Sequence, residues 1–98
     1  MTEEAIERIA NLFLNDIEKL TYTVNDSPKE KKIFKSYVKN GNVEILFKID
    51  SSEIGTFDNF KLIGKNKTVY ATKILNFQKT NDEIIIEFPF LFMKEGEK

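Results

Sequence analysis

Apolar residues in the first twenty positions recur at steps of three and four: Ile6, Ile9, Ala10, Phe13, Ile17 and Leu20. That spacing places them on one face of a helix. Thr2 is positioned to cap its first turn, and Glu3, Glu4 and Glu7 to meet the positive end of its dipole. Asn15-Asp16 marks the exit, so the pattern predicts a helix over about 3–16. From Leu20 the period drops to two. Leu20, Tyr22 and Val24 alternate with Thr21 and Thr23, which predicts a half-buried strand over about 19–25. Asn25-Asp26-Ser27-Pro28 breaks it, because Asx residues bend the chain and Pro has no N–H for a ladder.

Five further strands follow from the same alternation. The stretch 31–38 divides into Ile33, Lys35 and Tyr37 on one face and Phe34, Ser36 and Val38 on the other. Asn40-Gly41 then favours a tight hairpin, since both turn positions need φ > 0. Over 43–49, Val43, Ile45, Phe47 and Ile49 face inward while Glu44 and Lys48 face out. Strands over 57–63 and 68–75 flank a turn at Gly64-Lys65-Asn66-Lys67. The last strand, 83–92, is apolar on both faces as far as Met93, which fits a central strand or one covered by a partner. Pro89 argues instead for an edge or a bulge. A charged tail from Lys94 to Lys98 is expected to fray. The expected fold is a single domain over 1–98 of the α+β class: one N-terminal amphipathic helix packed on a small antiparallel β-sandwich or open barrel of about six strands.

Composition narrows the function more than the fold. The chain has 98 residues, 41% apolar and 32% charged, which suits a globular domain rather than a disordered one. It contains no Cys and no His. Thiolate catalysis and disulfides are therefore excluded, and the commonest general base and transition-metal ligand are absent. Fifteen basic against sixteen acidic residues leave a net charge of −1, unlike a protein built mainly to hold nucleic acid or an anionic membrane. No apolar run approaches a membrane span, and the acidic start Thr2-Glu3-Glu4 is unlike a signal peptide.

Candidate chemistry is sparse. Asp50, Glu53 and Asp58 come nearest to a hard-cation loop, but their spacing is loose and a solvated turn is the plainer reading. Asp82, Glu83 and Glu87 offer carboxylates without a pocket around them. Lys31-Lys32-Ile33-Phe34-Lys35-Ser36-Tyr37-Val38-Lys39 interleaves lysines with aromatics, as a stacking surface for nucleic acid does. The near-neutral charge favours a strand with Phe34 or Tyr37 in the core and lysines guarding an edge. No catalytic residue, metal or cofactor is expected.

The order of features from Val43 to Phe92 resembles the attachment domains near the N-termini of bacteriophage tail fibres and baseplate appendages. A strand leads through a polar loop to Gly55-Thr56-Phe57. Then come Asn59-Phe60-Lys61-Leu62-Ile63-Gly64, a turn, Thr68-Val69-Tyr70-Ala71, and a strongly apolar final strand. Gly55, Leu62, Ile63, Val69 and Ala71 stand at the matching positions, while Lys61 and Thr56 replace glycines common there. The resemblance implies a non-enzymatic phage or prophage virion protein, assembled in the bacterial cytoplasm as a small tail or appendage-attachment component. The apolar surface of the last strand predicts a homo-oligomer, and the resemblance puts a trimer slightly ahead of a dimer, in contact with other virion or host proteins. A free soluble module, such as an inhibitor of a host protein, is the alternative.

Nine phenylalanines exceed what one small core readily hides. Phe57, Phe60, Phe88, Phe90 and Phe92 are therefore the expected protein-interface residues, since aromatics left at a surface are the usual anchors of an interface. Neither a membrane nor nucleic acid is expected as a partner.

Overall fold

The computed structural model describes residues 2–92; the expectations for Met93 and the charged tail fall outside them. Helix α1 runs Glu3–Asp16, and the Thr2 hydroxyl accepts a hydrogen bond from the Ala5 N–H at 3.1 Å. The chain passes without a loop into strand β1, Ile17–Val24. Ile17, counted on the helical stripe, is instead buried on β1, together with Leu20, which the alternation already placed in a strand. The helical stripe ends where the period-two pattern begins, and a β-branched Ile17 suits the extended side of that boundary.

The remaining strands are β2 (Ser27–Lys31), β3 (Lys35–Lys39), β4 (Asn42–Ile49), β5 (Gly55–Gly64), β6 (Val69–Lys73), β7 (Phe77–Lys79) and β8 (Ile84–Leu91). They form two antiparallel sheets, one ordered β2-β1-β5-β6 with β7 also on β5, the other β3-β4-β8. The architecture is one helix packed on two sheets, an α+β fold with eight strands where about six were expected.

The extra strands have local causes. Asn25 and Asp26 take φ of 50° and 65°, so the predicted break is a two-residue hairpin turn, and Ser27–Lys31 pairs straight back on β1. Pro28 is tolerated because β2 is the edge of its sheet. The predicted strand 31–38 is thereby divided: Lys31 closes β2, β3 starts at Lys35, and Ile33 packs against the core between them. The predicted strand 68–75 stops at Lys73, and β7 resumes on the lower half of β5.

The core lies between the sheets. β4 contributes Val43, Ile45, Phe47 and Ile49, all fully buried, as its alternation predicts. β5 contributes Phe57, Phe60 and Leu62. A strict period of two would put Phe57 and Phe60 on opposite faces. Asn59 at φ 58°, where the pairing of β1 with β5 shifts register, inserts one residue and turns both rings inward. Tyr22, Phe57, Phe60 and Phe77 then form a layer of near-parallel rings, with neighbouring centroids 5.5–5.8 Å apart.

β8 is an edge strand among the described residues. Ile86 and Phe88 point inward, while Ile85, Glu87, Pro89 and Leu91 are exposed, so the strand is not central, and within this chain only one of its faces is covered. The Phe92 N–H donates to the Gly41 carbonyl at 2.7 Å. Antiparallel alternation then directs the backbone groups of Phe90 and Phe88 toward β4, and those of Pro89 toward the free edge, where no N–H is needed.

Helix α1 spans one end of the sandwich. Ile6 lies against Gly41, and Phe13 meets Phe90, Phe92 and Tyr70 edge-on. Gly41 has φ of 80°, and a Cβ there would collide with the Phe92 carbonyl oxygen. Gly41→Ala is expected to lower stability by roughly 2 kcal/mol or more, combining a left-handed backbone with that collision. Asn40→Gly in the same turn should be nearly neutral. Urea unfolding midpoints of the two variants check this.

Candidate functional site

Two clusters stand at opposite ends of β4. The first is polar and surrounds the loop after Ile49. The Glu53 carboxylate accepts from Lys31 Nζ at 2.5 Å, from the Tyr22 hydroxyl at 2.5 Å and from the Asp50 N–H at 3.0 Å. Lys79 is only 2% exposed, and its ammonium donates to the carbonyls of Asp50, Glu53 and Thr80 at 2.8, 2.5 and 3.1 Å. The loop expected to be nearest to a cation site is thus filled by two lysines of the chain itself. Asp58 stands apart, its carboxylate accepting from Asn76 and from the Asn59 N–H. Glu83 pairs with Lys48 at 3.2 Å, and Asp82 and Glu87 are exposed.

Electrostatics follow from this geometry. Burial pushes Glu53 up, but the Lys31, Tyr22 and Asp50 hydrogen bonds outweigh it and hold the carboxyl below its usual value. Burial, then the bond to Glu53, pushes the Tyr22 phenol well above its usual value. This cluster ties β1, β2, β7 and the loop after β4 together. Its donors and acceptors engage one another, which suits a tie between elements rather than general acid–base work.

The second cluster is aromatic. Phe13 of α1 meets Tyr70 of β6, Phe90 of β8 and Phe92, with ring centroids 5.1, 4.8 and 5.7 Å apart. Asp16 accepts the Tyr70 hydroxyl proton in a hydrogen bond, which holds that phenol above its usual value. A side chain at Gly64 would strike the Tyr70 ring, so the glycine lets Tyr70 lie against the end of α1. This seam is incompletely covered. Phe13, Phe90 and Phe92 are half-buried and Tyr70 is exposed, as are Ile9, Leu12 (58%) and Val69 (52%) on the same two elements.

The expected interface residues divide between the core and this seam. Phe57, Phe60 and Phe88 are buried between the sheets, the first two through the bulge at Asn59 and the third on the inward row of β8. Phe90 and Phe92 do lie at the seam. Phe34 and Tyr37, one of which was expected in the core, are both exposed, because the chain crosses between sheets at Ile33 and β3 begins only at Lys35. Residues absent from the expected interface are Ile9 and Phe13, on the helical stripe, Leu12, off it, and Val69 and Tyr70, legible only once β6 is set beside α1. Lys79 had no sequence signal.

Comparison with protein-family models, curated proteins and solved structures finds no match to this chain.

The pH dependence has a definite sign. Glu53 is depressed from 4.5, so its contribution to stability is full above that pH and is lost as pH falls through the lowered value. Tyr22 is raised from 10.0, so its contribution is full below that pH and is lost as pH rises further. Between neutrality and the acid limb, wild type should lose more stability than Glu53→Gln, with parallel curves from about pH 6 to 8. Urea titrations across pH measure the difference; parallel curves throughout would contradict the assignment.

Proposed function

We propose that this chain is a non-enzymatic assembly protein that works through protein–protein contacts made at the seam between α1, β6 and β8. The observation that carries this reading is the half-open aromatic cluster of Phe13, Tyr70, Phe90 and Phe92, with Ile9, Leu12 and Val69 also exposed on the same helix and strand. Scattered apolar residues on a surface need no explanation, but several gathered on two adjoining elements mark an interaction surface. Aromatic anchors rimmed by aliphatic groups are also what the centre of an interface is made of.

The non-catalytic part of the proposal rests on composition and on an engaged carboxylate. The chain has no His or Cys, and the part-buried Glu53 is held by Lys31, Tyr22 and the Asp50 N–H. The resemblance of residues 43–92 to tail-appendage attachment domains supplies the setting, a phage or prophage virion. The first partner is a second copy of the chain, because closed symmetric assembly is the common way to cover such a surface.

Sedimentation velocity at high micromolar concentration is the test. Wild type should sediment as an oligomer, and the double variant Leu12→Glu with Val69→Glu as a smaller species with an unchanged circular dichroism spectrum. Both side chains are exposed, so the substitutions leave the core intact. A wild-type monomer would overturn self-assembly and favour a free binding module.

A further inference from the structure

The segment from Lys31 to Lys39 is not used by the seam. β3 pairs with β4 so that Lys35 stands opposite Leu46 and Tyr37 opposite Glu44. Those β4 residues alternate with the buried Val43, Ile45 and Phe47, so Lys35 and Tyr37 lie on the outer face of the sheet. The Phe34 ring belongs to the same face: Lys35 Nζ lies 5.4 Å from its centroid and Lys48 Nζ 5.5 Å, and Lys48 sits between the inward Phe47 and Ile49. Phe34 is 46% exposed and Tyr37 50%. Lys35 and Ser36 separate them, a span of about 10 Å along the chain.

Charge on this face is sorted. Lys35 and Lys39 are exposed along β3, and Lys32 is exposed in the segment that leads into it. The carboxylates lie toward β8: Glu87 beyond Leu46, and Glu83, which pairs with Lys48 at 3.2 Å. Glu44 beside Tyr37 marks the boundary. Two exposed rings with three exposed lysines form a strip whose charge is opposite to the chain's overall −1.

We propose that this strip binds single-stranded nucleic acid, with bases stacked on Phe34 and Tyr37 and phosphates placed along Lys32, Lys35 and Lys39. Aromatic faces give a sequence-tolerant platform because every base has a π face, and the lysines track the backbone. Lys48, held between Glu83 and the Phe34 ring, steadies that ring. The strip is short and the chain as a whole is acidic, so the binding is weak and sensitive to salt. This corrects the sequence expectation that placed Phe34 or Tyr37 in the core.

Fluorescence anisotropy of labelled oligothymidylate and oligouridylate with the full chain tests it. Micromolar binding is expected at low salt. Affinity should fall about 20-fold between 50 and 200 mM NaCl if three phosphates are neutralised. Phe34→Ser and Tyr37→Ser should each weaken binding about tenfold or more, while Tyr37→Phe keeps it. Circular dichroism melts verify that the variants are folded. No binding at low salt, or binding indifferent to both serine variants, overturns the proposal. Serine variants that change the sedimenting mass without changing oligonucleotide affinity also overturn it, and assign the face to a protein contact instead.

Discussion

Face-to-face packing of two inner rows sets nearly everything else in this molecule. Val43, Ile45, Phe47 and Ile49 on one sheet bury against a layer built from Leu20, Tyr22, Phe57, Phe60 and Leu62 on the other. Each large side chain removed from water contributes about 1.5–3 kcal/mol, and the rows interdigitate only while both alternations hold register. Such packing leaves two open ends. Helix α1 lies across one, with Ile6 on Gly41 and Phe13 on Phe90. The other is tied by Lys79 and Glu53, whose bonds hold the loop after β4 against β1, β2 and β7. The helix covers its end incompletely, and that is why the apolar seam is there.

Free strand edges compete with faces as sites of association, and here they are guarded. β2 carries Pro28 with Lys29 and Lys31, β3 carries Lys35 and Lys39, β6 is short and has a register shift against β5, and β8 presents Pro89 outward. These are the devices that discourage edge-to-edge pairing. That leaves side-chain surfaces as the proposed places of association: the seam at α1 and the ring-and-lysine strip on β3. The two surfaces differ in chemistry, one aliphatic and aromatic, the other aromatic and cationic.

How much of this the sequence discloses depends on whether a residue acts through local pattern or through long-range pairing. The helix over 3–16, the Asn40-Gly41 hairpin and the inward row of β4 are local and legible. The Asn25-Asp26 hairpin uses the same residue types as a simple break, so only its positive φ angles distinguish the two. Phe57 and Phe60 mislead because a bulge at Asn59 changes their parity, and a single residue at φ > 0 leaves no periodic trace. Phe34 and Tyr37 mislead because the chain changes sheets just before them. For the site, Phe90 and Phe92 are readable as excess aromatic surface, whereas Tyr70 and Lys79 acquire their roles only from neighbours far along the chain.

On the proposed reading, partner contact falls on the helix end of the sandwich. Amide hydrogen exchange, compared between dilute and concentrated protein, reads this directly. The account requires added protection at high concentration in α1 around Ile9–Phe13 and in β6 around Val69 and Tyr70. It also requires no change along the outer edge of β8 or in β2. Protection that grows instead along β8, or that is independent of concentration everywhere, would contradict it.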